Sequence, residues 1–127
     1  MSEETRYARG LEKLNKIDAN QGQAVIDSLS GLAEDIGKYI IEFAFGDIYT
    51  RKVLTLKQRE IITITSLLTQ GGTEKQLHVH IHASLNVGLT QKEIIEVFIQ
   101  CLPYVGFPKV LNAVAVAKQV FSEREKK

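Results

Sequence analysis

The chain has 127 residues, 44% apolar and 24% charged, with two prolines, no tryptophan and one cysteine, a composition suited to one globular domain over residues 1–127 with its own core. Its 16 basic and 15 acidic residues form no basic cluster, so it lacks the electrostatic footprint for nucleic-acid backbones or anionic membranes. A single cysteine rules out an internal disulfide, a CxxC redox pair and a four-thiolate metal site. The polar start, MSEETRYARG, has no apolar signal core behind it, and no run approaches the roughly 18 apolar residues of a bilayer span. A soluble cytoplasmic protein is expected.

In chain order, residues 3–16, 21–29 and 32–46 read as three helices. Three later segments open with the Thr-x-x-Gln/Glu spacing of a capping box, at Thr55 to Gln58, Thr73 to Gln76 and Thr90 to Glu93. In that motif the threonine oxygen accepts an orphan backbone N–H and the fourth residue reaches back. With Gly71-Gly72, Gly88 and Pro103 as stops, the spacing predicts helices over 56–69, 74–87 and 91–102. A last helix begins at Pro108, whose φ suits a first turn, and runs through NAVAVAKQVF into a charged, fraying SEREKK end. The expected fold class is therefore all-α, about six to seven helices. EIITITSL and HVHIH also alternate like strands. On a strand His78, His80 and His82 would share one face, whereas on a helix residues two apart diverge by about 200°. The caps and segment lengths favour helix.

Two features of these helices bear on chemistry. Glu60 lies within the apolar arc of Ile61, Ile64, Leu67 and Leu68. A carboxylate there is either a surface partner of the helix dipole, Lys57 or Arg59, or a buried group with a function. All three histidines fall between 78 and 82. His78, His82 and Asn86 make an i, i+4, i+8 row, expected to face solvent or a subunit contact. The His78–His82 spacing suits a metal pair, but Val79 stands where a metalloprotease has glutamate, so no metal is expected. His80 projects elsewhere, among Ala83, Ser84 and Val87, either as a core histidine or as a general acid/base. Cys101, in an apolar segment, reads as a buried inert thiol. Tyr104 and Phe107 flank Gly106 in the turn PYVGFP.

The start LKQRE at 56–60, the run HIHASLNVGLTQKEI at 80–94 and YVGFPKVLNA at 104–113 resemble the carboxymuconolactone decarboxylase family, within the alkylhydroperoxidase D-like superfamily, over roughly residues 25–122. The resemblance implies an all-α bundle of antiparallel helix pairs, assembled as trimers or hexamers with the pocket near a subunit boundary. Peroxidase-type relatives resemble this chain at Glu60 and His80 but carry a CxxC pair at the positions of Thr73 and Gln76. Peroxide reduction needs an attacking and a resolving thiol, so peroxiredoxin activity would be a family label without its chemistry here. Decarboxylase-type relatives lack the cysteines and keep the histidine. The resemblance thus implies a decarboxylase acting on a small carboxylated lactone or related acid, with no cofactor. His80 would be the proton donor, Glu60 its orienting partner, and Arg59, Gln76 and Tyr104 substrate-binding residues. Between 73 and 100 the only lysines or arginines are Lys75 and Lys92, and Ile81, His82 and Ala83 stand where decarboxylase sequences tend to be arginine-rich. The alternatives are a redox protein using Cys101 with an outside thiol, and a non-catalytic oligomer of the same fold.

Overall fold

The structure is a computed structural model that describes residues 5–126. All regular structure among these residues is helical. Two compact units succeed one another along the chain, the second beginning at Leu56.

The first unit holds α1 (Arg6–Ser28), α2 (Glu34–Tyr39) and a π-helical segment (Ile40–Ile48). The Thr5 hydroxyl caps α1 by accepting the Ala8 N–H at 3.0 Å. The interruption expected between residues 16 and 21 is at Asp18, which is extended (φ −163°, ψ 80°). Its carboxylate accepts the Gln21 N–H at 3.2 Å, so it ends one helical stretch and caps the next. The single helix expected over 32–46 is instead α2 followed by the wider π turn, which bonds the Tyr49 N–H to the Ala44 carbonyl at 2.9 Å. Sequence periodicity does not separate these two windings, because both turn Ile41 and Phe45 inward. Gly10 lets α1 sit directly on this segment, since a β-carbon there would lie 1.8 Å from the Ile41 carbonyl oxygen.

The second unit is α3 (Leu56–Gln70), α4 (Glu74–Asn86), α5 (Gln91–Val105) and α6 (Phe107–Glu125). Each boundary falls within a few residues of its predicted place, and the stretches with strand-like alternation are helical. The short turns between helices reverse the chain, so α3 packs on α4 and α5 on α6, with α4 also against α6. Ile64 and Leu68 of α3, Leu77 and Ile81 of α4, Ile94 and Phe98 of α5, and Ala113, Ala117 and Val120 of α6 meet in one apolar core. Cys101 is buried in it.

Of the expected caps, the Thr90–Glu93 box forms in full. The Thr90 Oγ1 accepts the Glu93 N–H at 3.0 Å and the Glu93 carboxylate accepts the Thr90 N–H at 2.9 Å. Thr73 does not cap α4; its hydroxyl donates instead to the Leu67 carbonyl, closing the end of α3. Nor does Pro103 stop α5, which continues to Val105. Proline forfeits one hydrogen bond and crowds the carbonyl four residues back, but Pro103 is on the exposed side of the last turn. The stop is Gly106, whose φ of 88° no helix can continue.

Thr90→Ala is expected to lower stability by about 1 kcal/mol, read by urea denaturation. The backbone N–H of Thr90 holds the Glu93 carboxyl below its ordinary pKa. A depressed carboxylate pKa means that its contribution is complete above the unfolded value and disappears as pH falls through the folded one. The deficit of Glu93→Ala, which removes that carboxylate, is therefore expected to shrink on acidification, over the range below about pH 4.5.

Candidate active site

Glu60 enters the core because of its register on α3. It stands four residues before Ile64 and eight before Leu68, both buried, and it is itself 0% exposed. The surface reading, as a dipole or lysine partner, is overturned by this burial. Its partner comes from the next helix: His80 Nδ1 lies 3.0 Å from Glu60 Oε1. A carboxylate only accepts, so Nδ1 carries a proton and Nε2 is the ring nitrogen left for chemistry. The His80 side chain is 21% exposed, so the pair spans from core to surface. Glu60 Oε2 has no protein hydrogen-bond partner among the described residues. The Ser84 hydroxyl donates to the His80 carbonyl at 2.7 Å, occupying the small-residue face beside the imidazole.

The other candidates are placed differently. Arg59 precedes Glu60 on α3 and is half-buried. Gln76 is exposed in the first turn of α4, and Tyr104 is 80% exposed near the end of α5. Of the five, Glu60 and His80 are brought together by a hydrogen bond.

Of the row expected to face solvent or a subunit contact, His82 is buried and His78 half-buried against α6, while Asn86 is exposed. His78 Nε2 and His82 Nε2 each lie 2.9 Å from Glu123 Oε1. Arg124 reaches His82 Nδ1 at 3.2 Å and the Asn86 side-chain oxygen Oδ1 at 2.9 Å. Guanidinium only donates, so His82 Nδ1 accepts and its Nε2–H donates to Glu123. These bonds, His82 first and His78 second, hold the Glu123 carboxyl at about 2, well below the usual carboxylate range. The segment read as a fraying end is thus helical to Glu125 and tied to α4. A signal was present: Glu123 and Arg124 lie one heptad beyond the buried Val116 and Ala117, so they continue the inward stripe of α6 with charge. Beside this cluster Glu74, Lys75, His78, Val116 and Gln119 line a cavity of 310 Å³.

Comparison with known proteins follows the same residues. The carboxymuconolactone decarboxylase family model matches residues 34–119. A 4-carboxymuconolactone decarboxylase of Acinetobacter baylyi is 31% identical over 124 residues, 97% of this chain and 92% of its own length. An uncharacterized 15.0 kDa protein of Paracoccus denitrificans is 29% identical over 77% of this chain and 74% of its own. A nitrosuccinic acid decarboxylase of Metarhizium robertsii is 29% identical over 66% of this chain and 58% of its own.

Proposed function

The chain belongs to the carboxymuconolactone decarboxylase family, and from that premise we propose that it is a carboxy-lyase that needs no cofactor, with His80 as its proton donor. The observation that carries this reading is the hydrogen bond between His80 Nδ1 and the buried Glu60 carboxylate. Two similar proteins bear the names of decarboxylases whose substrates, a carboxylated lactone and a nitro acid, share one chemical feature. Each has a group that can take up the electron pair released when CO2 leaves. In such a substrate the bond from carbon to carboxylate breaks, its electrons pass into the lactone carbonyl or nitro group, and one carbon must then be protonated.

His80 Nε2 supplies that proton. The ring donates it while Nδ1–H remains bound to Glu60, which fixes the tautomer and balances the charge that the imidazolium carries beforehand. Arg59 is the cation for a substrate carboxylate and for the negative charge that develops on the acceptor oxygen. Gln76 and Tyr104 are the remaining substrate-binding candidates, both at the surface of a single chain. Tyr104, Phe107 and Leu111 are large exposed side chains of a kind suited to self-association, and a homo-oligomer, trimer or hexamer, is part of the proposal. The redox alternative has less support. Cys101 is the sole cysteine and is buried, so it meets neither peroxide nor a resolving thiol.

The test is the purified protein with 4-carboxymuconolactone and nitrosuccinate, following CO2 release. Turnover is expected, with Cys101→Ser keeping it. Glu60→Gln replaces a charge-assisted hydrogen bond by a neutral one, a loss of about 1.5 kcal/mol, so kcat is expected to fall about tenfold with little change in KM. Peroxide-dependent thiol consumption that vanishes in Cys101→Ser would overturn the proposal.

A further inference from the structure

The cluster on the other side of α4 has no part in the chemistry at His80, and its donor set is of another kind. We propose that His78, His82 and Glu123 form a binding site for one divalent transition-metal ion of the zinc class. Two imidazoles one helical turn apart and a carboxylate from the facing helix supply three donor atoms, all within 4.8 Å of one another. Zinc bonds of about 2.0–2.2 Å place tetrahedral donors roughly 3.5 Å apart. The two Nε2 to Oε1 distances, both 2.9 Å, therefore open slightly to admit an ion, while the widest separation in the set, up to 4.8 Å, closes. A set of two nitrogens and one oxygen suits zinc and its neighbours rather than calcium or magnesium, which take oxygen donors.

The surroundings prepare the carboxylate. Gln119 donates to Glu123 Oε2 at 3.1 Å, so Oε1, which already faces both histidines, is the oxygen turned toward the ion. The cavity bordered by His78 and Gln119 gives water or a small anion access to the remaining coordination position.

One contact opposes binding and makes the inference specific. Arg124 requires His82 Nδ1 to be an acceptor, with the proton on Nε2. An ion on Nε2 displaces that proton to Nδ1, where it faces the guanidinium. Arg124 must then release His82, keeping only its bond to Asn86, and its positive charge works against the incoming cation. No proton is lost in the exchange at His82, nor at His78, whose Nε2–H also points at Glu123; in each ring the proton moves to Nδ1.

Isothermal titration of the untagged full-length chain with Zn2+ tests the site. One saturable equivalent is expected. Glu123→Gln and His78→Ala each weaken it at least about tenfold, and Arg124→Gln, which supplies an acceptor in place of a donor, tightens it. Absence of saturable binding up to about 1 mM Zn2+, or binding unaffected by both Glu123→Gln and His78→Ala, would overturn the site. An Arg124→Gln variant that binds no tighter than the parent would overturn the tautomer competition.

Discussion

Replacement of His80 by asparagine is expected to lower kcat for decarboxylation by about 10²–10⁴-fold, with the fold retained. Asparagine is the informative choice because its amide nitrogen falls near the position of the imidazole Nδ1. The bond of 3.0 Å to Glu60 Oε1 therefore keeps a donor, and the buried carboxylate is not orphaned. What disappears is the second nitrogen and with it the transferable proton. Helix propensities of His and Asn are similar, and the side chain is partly exposed, so urea midpoints of parent and variant should agree closely. Steady-state CO2 release read alongside denaturation separates the two effects. Turnover within a few-fold of the parent would remove His80 from the mechanism and leave it a core histidine.

Truncation of Phe98 gives the opposite pattern. Phe98 is the largest fully buried side chain, 0% exposed in the core shared by α3, α4, α5 and α6. Phe98→Ala is expected to destabilise by about 3–5 kcal/mol, the transfer of a ring to water plus the cavity left behind. Against a total stability of roughly 5–15 kcal/mol, that is a large fraction. Urea denaturation measures it as a lower midpoint. Activity per folded molecule at low temperature should fall far less than in His80→Asn, because Phe98 supplies packing and no proton. A midpoint unchanged by Phe98→Ala would contradict the assigned core.

The helices from 56 onward were legible because their signals are local. Thr90 and Glu93 lie three residues apart, and Gly71, Gly88 and Gly106 each take a positive φ that ends a helix. Where the signal was ambiguous locally, the reading slipped. Thr73 has a hydroxyl able to serve either the helix after it or the helix before it, and packing gave it to Leu67. Pro103 is compatible with a last helical turn when the affected carbonyl faces water. The π winding of Ile40–Ile48 preserves the inward positions of an α-helix, so hydrophobic pattern does not reveal it.

The site divides along the same line. Glu60 was conspicuous as a carboxylate in an apolar stripe, and His80 as a histidine on a small-residue face. Their contact depends on how α3 lies against α4, 20 residues apart in the chain. The row of His78 and His82 was assigned to solvent or a subunit contact because polarity normally points outward. It points inward because α6 offers Glu123 and Arg124 to receive it.

By itself, the sequence determined the helical class, the family resemblance and the absence of a CxxC pair at Thr73 and Gln76, since residue identity and short spacings carry that information. Tertiary structure decided which polar side chains meet. It buried Glu60 against His80, and it turned two histidines toward a carboxylate 41 and 45 residues away. The physical reason is that a hydrogen bond or a metal site needs its atoms within about 3 Å, a condition set by helix packing rather than by position along the chain.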